Sequence, residues 1–144
     1  MKTSILIFSF VICLSCFAQT KIYAKNSYFD DGKKLFDKKA YTDSKFYFEK
    51  DIVFNPKSEN SYLYLAKIFK EIEKDDLEEE NLKTVLLLNP KNEEALYLLT
   101  LLTIKRSNFS KAKELILTMT SVCKKMCSST LELRENLDRS QKSQ

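Results

Sequence analysis

Asp51-Ile-Val-Phe-Asn-Pro-Lys-Ser58 and Val85-Leu-Leu-Leu-Asn-Pro-Lys-Asn92 decide the fold of this chain. Each ends an apolar helix with Asn-Pro-Lys, and Pro56 and Pro90 stand 34 residues apart, the spacing of a repeated pair of helices. A proline drives the residue before it, here Asn55 or Asn89, out of the α region and has no N–H with which to continue a helix. Each Asn-Pro therefore closes one helical pair and opens the next.

Outward from these stretches the composition agrees. Among 144 residues there is one glycine, Gly32, and there are two prolines, against abundant Leu, Lys, Glu, Phe and Tyr. That leaves little material for turns and much for helices. One compact helical domain is expected over residues 26–139, with 140–144 a frayed tail. The formal net charge is only +4 and the lysines are scattered among acids, so no nucleic-acid partner is expected. Histidine is absent, which removes Ser-His and Cys-His nucleophiles, histidine zinc sites and the usual general base near neutral pH. No enzyme is expected, nor any catalytic residue, metal ligand or cofactor.

Residues 1–18 read as an export signal. Lys2 is a short positive region, and the apolar run from Ile5 to Leu14 is too short to span a bilayer as a helix. Ser15 directly before Cys16, with Leu14 ahead, resembles a bacterial lipobox, which implies lipidation of Cys16 as the mature N-terminus; Cys13 departs from the leucine usual in that motif. Cleavage after Ala18 or Ala24 is the alternative and would release a soluble protein. Either way the chain is expected outside the cytoplasm, with residues 19–25 a polar tether. Two later cysteines, Cys123 and Cys127, are four apart in what reads as a helix, where a disulfide would strain the backbone. Buried structural thiols are the expectation, with an oxidised pair and a redox-active pair as the alternatives.

Helix starts are marked locally. Ser58 can cap a helix from Glu59, Asp75 with Glu78 resembles a capping box, Asn92 precedes Glu93 and Glu94, and Ser129 with Glu132 forms another box. The acidic stretch 71–80 reads as solvated surface. The sequon Asn108-Phe-Ser110 is taken as chance.

Tyr28, Gly32, Leu35, Tyr41, Ser44, Phe48 and Pro56, followed by Tyr62, Leu65, Ala66, Phe69, Leu82 and Pro90, resemble the packing positions of tetratricopeptide (TPR) repeats. A third unit, residues 93–126, keeps Leu96, Leu99, Phe109, Ala112 and Ile116 in place but has Thr100 at the small position and Lys124 at the proline position. Asp51 and Glu78 depart from the pattern, standing where that family favours small apolar residues. The resemblance implies an all-α, right-handed helical solenoid of about three helix-turn-helix pairs, sealed by a polar C-terminal capping helix through about Arg139. Gly32, Ala66 and Ala112 would let helices approach closely.

The resemblance further implies a concave wall built from the first helix of each pair, the usual peptide-binding face. Its inward positions would be Phe29, Lys33 and Phe36; Leu63, Tyr64, Lys67 and Lys70; and Tyr97, Leu98, Leu101 and Lys105. Aromatic and aliphatic groups among lysines suit an extended, partly apolar segment carrying acidic charge. Chaperone-binding TPR domains clamp a C-terminal carboxylate with an Asn and basic side chains; Phe29, Tyr64, Glu94 and Leu98 stand at such places here, and only Lys33 is suitable. The expected function is a non-catalytic adaptor for an envelope protein or peptide, anchored through Cys16 if it is lipidated, and similar in outline to the TPR lipoprotein of outer-membrane β-barrel assembly. A surface-exposed ligand-binding protein is the alternative, and a thiol redox protein using Cys123 and Cys127 a third reading.

Overall fold

The computed structural model describes residues 28–143; the signal segment, Cys16 and the tether lie outside them. The described residues hold seven helices and no strand: α1 (28–37), α2 (Tyr41–Phe54), α3 (Glu59–Glu71), α4 (Asp75–Leu88), α5 (Glu93–Lys105), α6 (Phe109–Val122) and α7 (Ser129–Lys142). Helix α7 thus runs past Arg139 into the stretch expected to fray. None of these helices is long and apolar enough to cross a membrane.

The repeat shows in the backbone itself. Lys39, Glu73 and Ser107 all adopt positive φ (59°, 55° and 56°) and recur at 34-residue intervals, each inside the turn that joins two helices of a pair. One residue later, the N–H of Ala40, Lys74 or Asn108 donates to the carbonyl of Leu35, Phe69 or Thr103, at 2.8–3.0 Å. This is the Schellman-type bond that closes a helix through a left-handed residue. The three turns share one geometry, although none of the left-handed residues is glycine.

The chain divides into two compact units at Pro56/Lys57. In the first, α1 and α2 form one hairpin around Phe48, which is fully buried. Gly32 faces that ring: a Cβ there would sit 2.9 Å from Phe48 Cε1. Ser44 Oγ donates to the Gly32 carbonyl at 2.8 Å, so the small pair lets the helices touch. Tyr28 stacks on Phe54 with ring centroids 5.5 Å apart. Asp51 is buried at the position where the sequence raised doubt.

In the second unit, α3–α4 and α5–α6 are successive hairpins and α7 packs on both α5 and α6. Ala66, Leu82, Val85, Leu96, Ala112, Met119 and Leu133 make its core. Thr100 is fully buried at the small position because its hydroxyl donates to the Leu96 carbonyl at 2.7 Å. Glu78 takes the place of Ser44 and Ala112 and is also buried. Burial pushes its carboxyl above the ordinary value; Asp75 adds to this, while Lys70, Lys105 and Arg106 oppose it.

The cysteine expectation is corrected. Cys123 and Cys127 are joined in a disulfide with Cα atoms 5.2 Å apart. The strain argument presumed a helix there, but α6 stops at Val122 and Cys123 is extended (φ −61°, ψ 142°), so the bridge closes a non-helical loop. The capping expectations hold only in part. Asn92 accepts from Ala95 N at 2.8 Å, and Asn108 of the sequon caps α6 through Lys111 N. Asp75 and Ser129 lie inside their helices, behind Lys74 and Ser128, and Ser58 makes no side-chain capping bond but meets Ser61 Oγ at 2.9 Å.

Candidate functional site

Within the second unit, α3, α5 and α7 lie in a row tied by polar bonds between helices. Lys67 Nζ on α3 stands 2.6 Å from Glu94 Oε1 on α5 and 4.7 Å from the Tyr64 ring centroid. The Tyr97 hydroxyl on α5 donates to Glu132 on α7 at 2.9 Å. Burial, then this bond, raises the Tyr97 hydroxyl above its ordinary pKa. Glu132 was expected to cap its own helix; the neighbouring tyrosine takes it instead.

The row brings together Tyr64, Lys67, Lys70, Tyr97 and Leu101, of which Lys70 is exposed and the others half-buried. Two proposed contacts are corrected. Leu63 and Leu98 are buried in the core of the second unit, where they pack with residues of several helices. Lys105 remains exposed and is ion-paired: its ammonium lies 2.7 Å from Asp75 Oδ1 at the start of α4, a bond that raises its pKa. Arg106 adds ion pairs to Asp76 and Glu79. The acidic segment read as solvated surface is therefore partly neutralised by the next repeat. Phe29, Lys33 and Phe36 lie on α1 in the first unit, where Lys33 is exposed and Phe29 tilts against Phe48.

A pair of carboxylates that sequence reading missed fixes the spacing of the row. Glu59 Oε1 accepts from the side-chain amides of Asn89 and Asn92, one repeat on. Glu93, 34 residues later, accepts from the backbone N–H groups of Lys124, Lys125 and Met126 at 2.9, 3.0 and 2.6 Å. This explains the missing third proline: Lys124 must donate an N–H that proline lacks. The signal was legible as Glu at both first-helix starts, yet its partners lie about a repeat away.

The bond from Met126, then those from Lys124 and Lys125, hold the Glu93 carboxyl below its ordinary pKa. A depressed folded-state pKa gives stability that is present above the unfolded value and lost as pH falls through the folded one. Amide-exchange protection at 124–126 should therefore be lost as pH falls below the ordinary glutamate range, and Glu93→Gln should abolish that pH dependence. Unchanged protection in the variant would show that the carboxylate does not hold the loop. Among the described residues no group of three potential ligands is placed to hold a metal ion.

Helix pairs at a 34-residue interval with small residues at each crossing and a capping helix define an all-α TPR solenoid fold. The first TPR domain of Spaghetti (RPAP3), solved with an HSP90 peptide SRMEEVD, is similar at TM-score 0.71 and 16% identity, over 80% of this chain and 91% of that one. TPR2B of yeast Sti1, in a pHsp70 complex, gives 0.70 and 14%, over 83% and 98%. The Sgt2 TPR domain from Aspergillus fumigatus gives 0.69 and 13%, over 83% and 78%. No family model and no curated protein sequence matches the chain.

Proposed function

We propose that this chain is a non-catalytic interaction scaffold that binds an extended peptide segment along the α3–α5 row. The observation that carries this reading is the half-buried set Tyr64, Tyr97 and Leu101 on adjacent first helices: large, stiff side chains that lose little freedom on binding. The peptides in the Spaghetti and Sti1 structures support the mode. They do not carry over the ligand, because Glu94 offers negative charge and Leu98 is buried where a carboxylate clamp needs donors. A photo-crosslinking residue at Leu101 should trap a partner, whereas one at exposed Lys113 on α6 should not. Equal labelling at both would move the interface elsewhere.

Reversing Lys67 and Lys70 to Glu should weaken partner capture while helicity stays intact, since a partly exposed ion pair such as Lys67–Glu94 contributes at most about 1 kcal/mol. Unaltered capture would remove both lysines from the contact.

The same proposal places the scaffold outside the cytoplasm, anchored by a lipid on Cys16 and serving an envelope protein, with outer-membrane protein assembly as the specific role. The signal pattern of residues 1–18 supports export, and the Cys123–Cys127 disulfide suits an oxidising compartment. The N-terminal mass of the purified native protein, with recovery or not of a barrel-assembly complex after crosslinking, tests address and role together.

A further inference from the structure

Helix α2 carries its polarity the wrong way round. Ser44 and Asp51 are buried beside Phe48, while Phe46, Val53 and Phe54 are 57%, 75% and 60% exposed. Positions 46, 50, 53 and 54 fall on one helical face. Lys50 lies among the rings, its ammonium 4.4 Å from the Tyr28 centroid and 5.8 Å from that of Phe46. The repeat supplies its own control. At 34-residue spacing the places of Phe46, Lys50 and Val53 are taken by Glu80, Thr84 and Leu87 in α4, and by Glu114, Thr118 and Ser121 in α6. Leu87 keeps position 53 apolar in α4, and Leu88 and Val122 keep the place of Phe54 apolar, but none of these residues is aromatic. The fold therefore does not require an aromatic outer face, and only the first hairpin has one.

We infer that this face of α2 rests on a lipid bilayer. The inference deepens the anchored reading above and rests on it. Tyr28, the first described residue, stacks on Phe54 and so lies at this face. Cys16 is twelve residues earlier, and a tether of that length reaches no farther than about 40 Å. An acyl chain on Cys16 would therefore hold this face within about 40 Å of the membrane. Phenylalanine and tyrosine rings around a lysine suit the interface: the rings enter the headgroup boundary and the lysine stem lies along them with its ammonium at the phosphates. A second attachment also fits the need of lipid-anchored proteins for more than one membrane signal.

The chain contains no tryptophan, so one introduced residue reports alone. Full-length processed protein carrying Phe46→Trp or Phe54→Trp is reconstituted into phosphatidylethanolamine/phosphatidylglycerol vesicles with brominated acyl chains. Lys38→Trp, in the exposed turn at the far end of the hairpin, is the reference. An apolar face embedded about 5–10 Å should be quenched at least about twofold more strongly than the reference, with blue-shifted emission. Quenching equal to that at Lys38→Trp in membrane-bound protein overturns the inference and leaves the anchor standing. Blue-shifted emission in detergent without vesicles, together with a doubled native mass, assigns the face to a second copy and also overturns it. Recovery of the protein in the soluble fraction with Cys16 removed or unmodified overturns the anchor and the inference with it.

Discussion

Leu133→Ala is expected to cost about 2–5 kcal/mol and to detach α7 from the second unit. Leu133 is fully buried in the core shared with Leu96, Ile116 and Met119, in a helix that is otherwise mostly polar. Truncating it removes the apolar surface that docks α7 and leaves a cavity that flanking helices fill only partly. The Tyr97–Glu132 bond should go with it, since its geometry depends on α7 lying against α5. Denaturant unfolding gives the loss, and amide exchange along Ser129–Lys142 should report it as local fraying. Leu131→Ala, at an exposed position on the same helix, is the control. If Leu133→Ala behaves like Leu131→Ala, α7 does not seal the unit.

Gly32→Leu is expected to destabilise the first hairpin by roughly 1–3 kcal/mol, the usual cost of forcing bulk into a packed core. Phe48 presents three ring atoms within 2.9–3.2 Å of where a Cβ would lie, and a buried ring has nowhere to turn. Gly32→Ala should cost much less, because the clash is offset by the roughly 1 kcal/mol that alanine returns to a helix interior. A melting temperature unchanged in Gly32→Leu would mean that α1 and α2 do not cross at Gly32.

The alternation of helices and the repeat length were legible because they depend on neighbours in sequence: a proline acts on the residue before it, and apolar spacing acts within two turns. Gly32, Ala66 and Ala112 could be named for the same reason, as small residues on otherwise bulky faces. The left-handed turns at Lys39, Glu73 and Ser107 could not, because a non-glycine residue adopts positive φ only when the helices on both sides hold it there. The face was legible as a set of helical positions, but not its membership. Leu63 and Tyr64 are adjacent in sequence, yet one is core and the other is half-buried beside Lys67.

By itself, the sequence determined that the chain folds as helix pairs of 34 residues, where each pair ends, and which residues are small enough for a crossing. Those are short-range properties of backbone and side-chain volume. Only the tertiary structure decided where the charges go: Glu93 to a loop that then cannot contain proline, Lys105 to Asp75, Glu132 to Tyr97. It also bent the chain after Val122 so that Cys123 and Cys127 could join. Each of these charged contacts links groups about 30 residues apart. A side chain with several possible partners takes the one that the packed helices bring within reach.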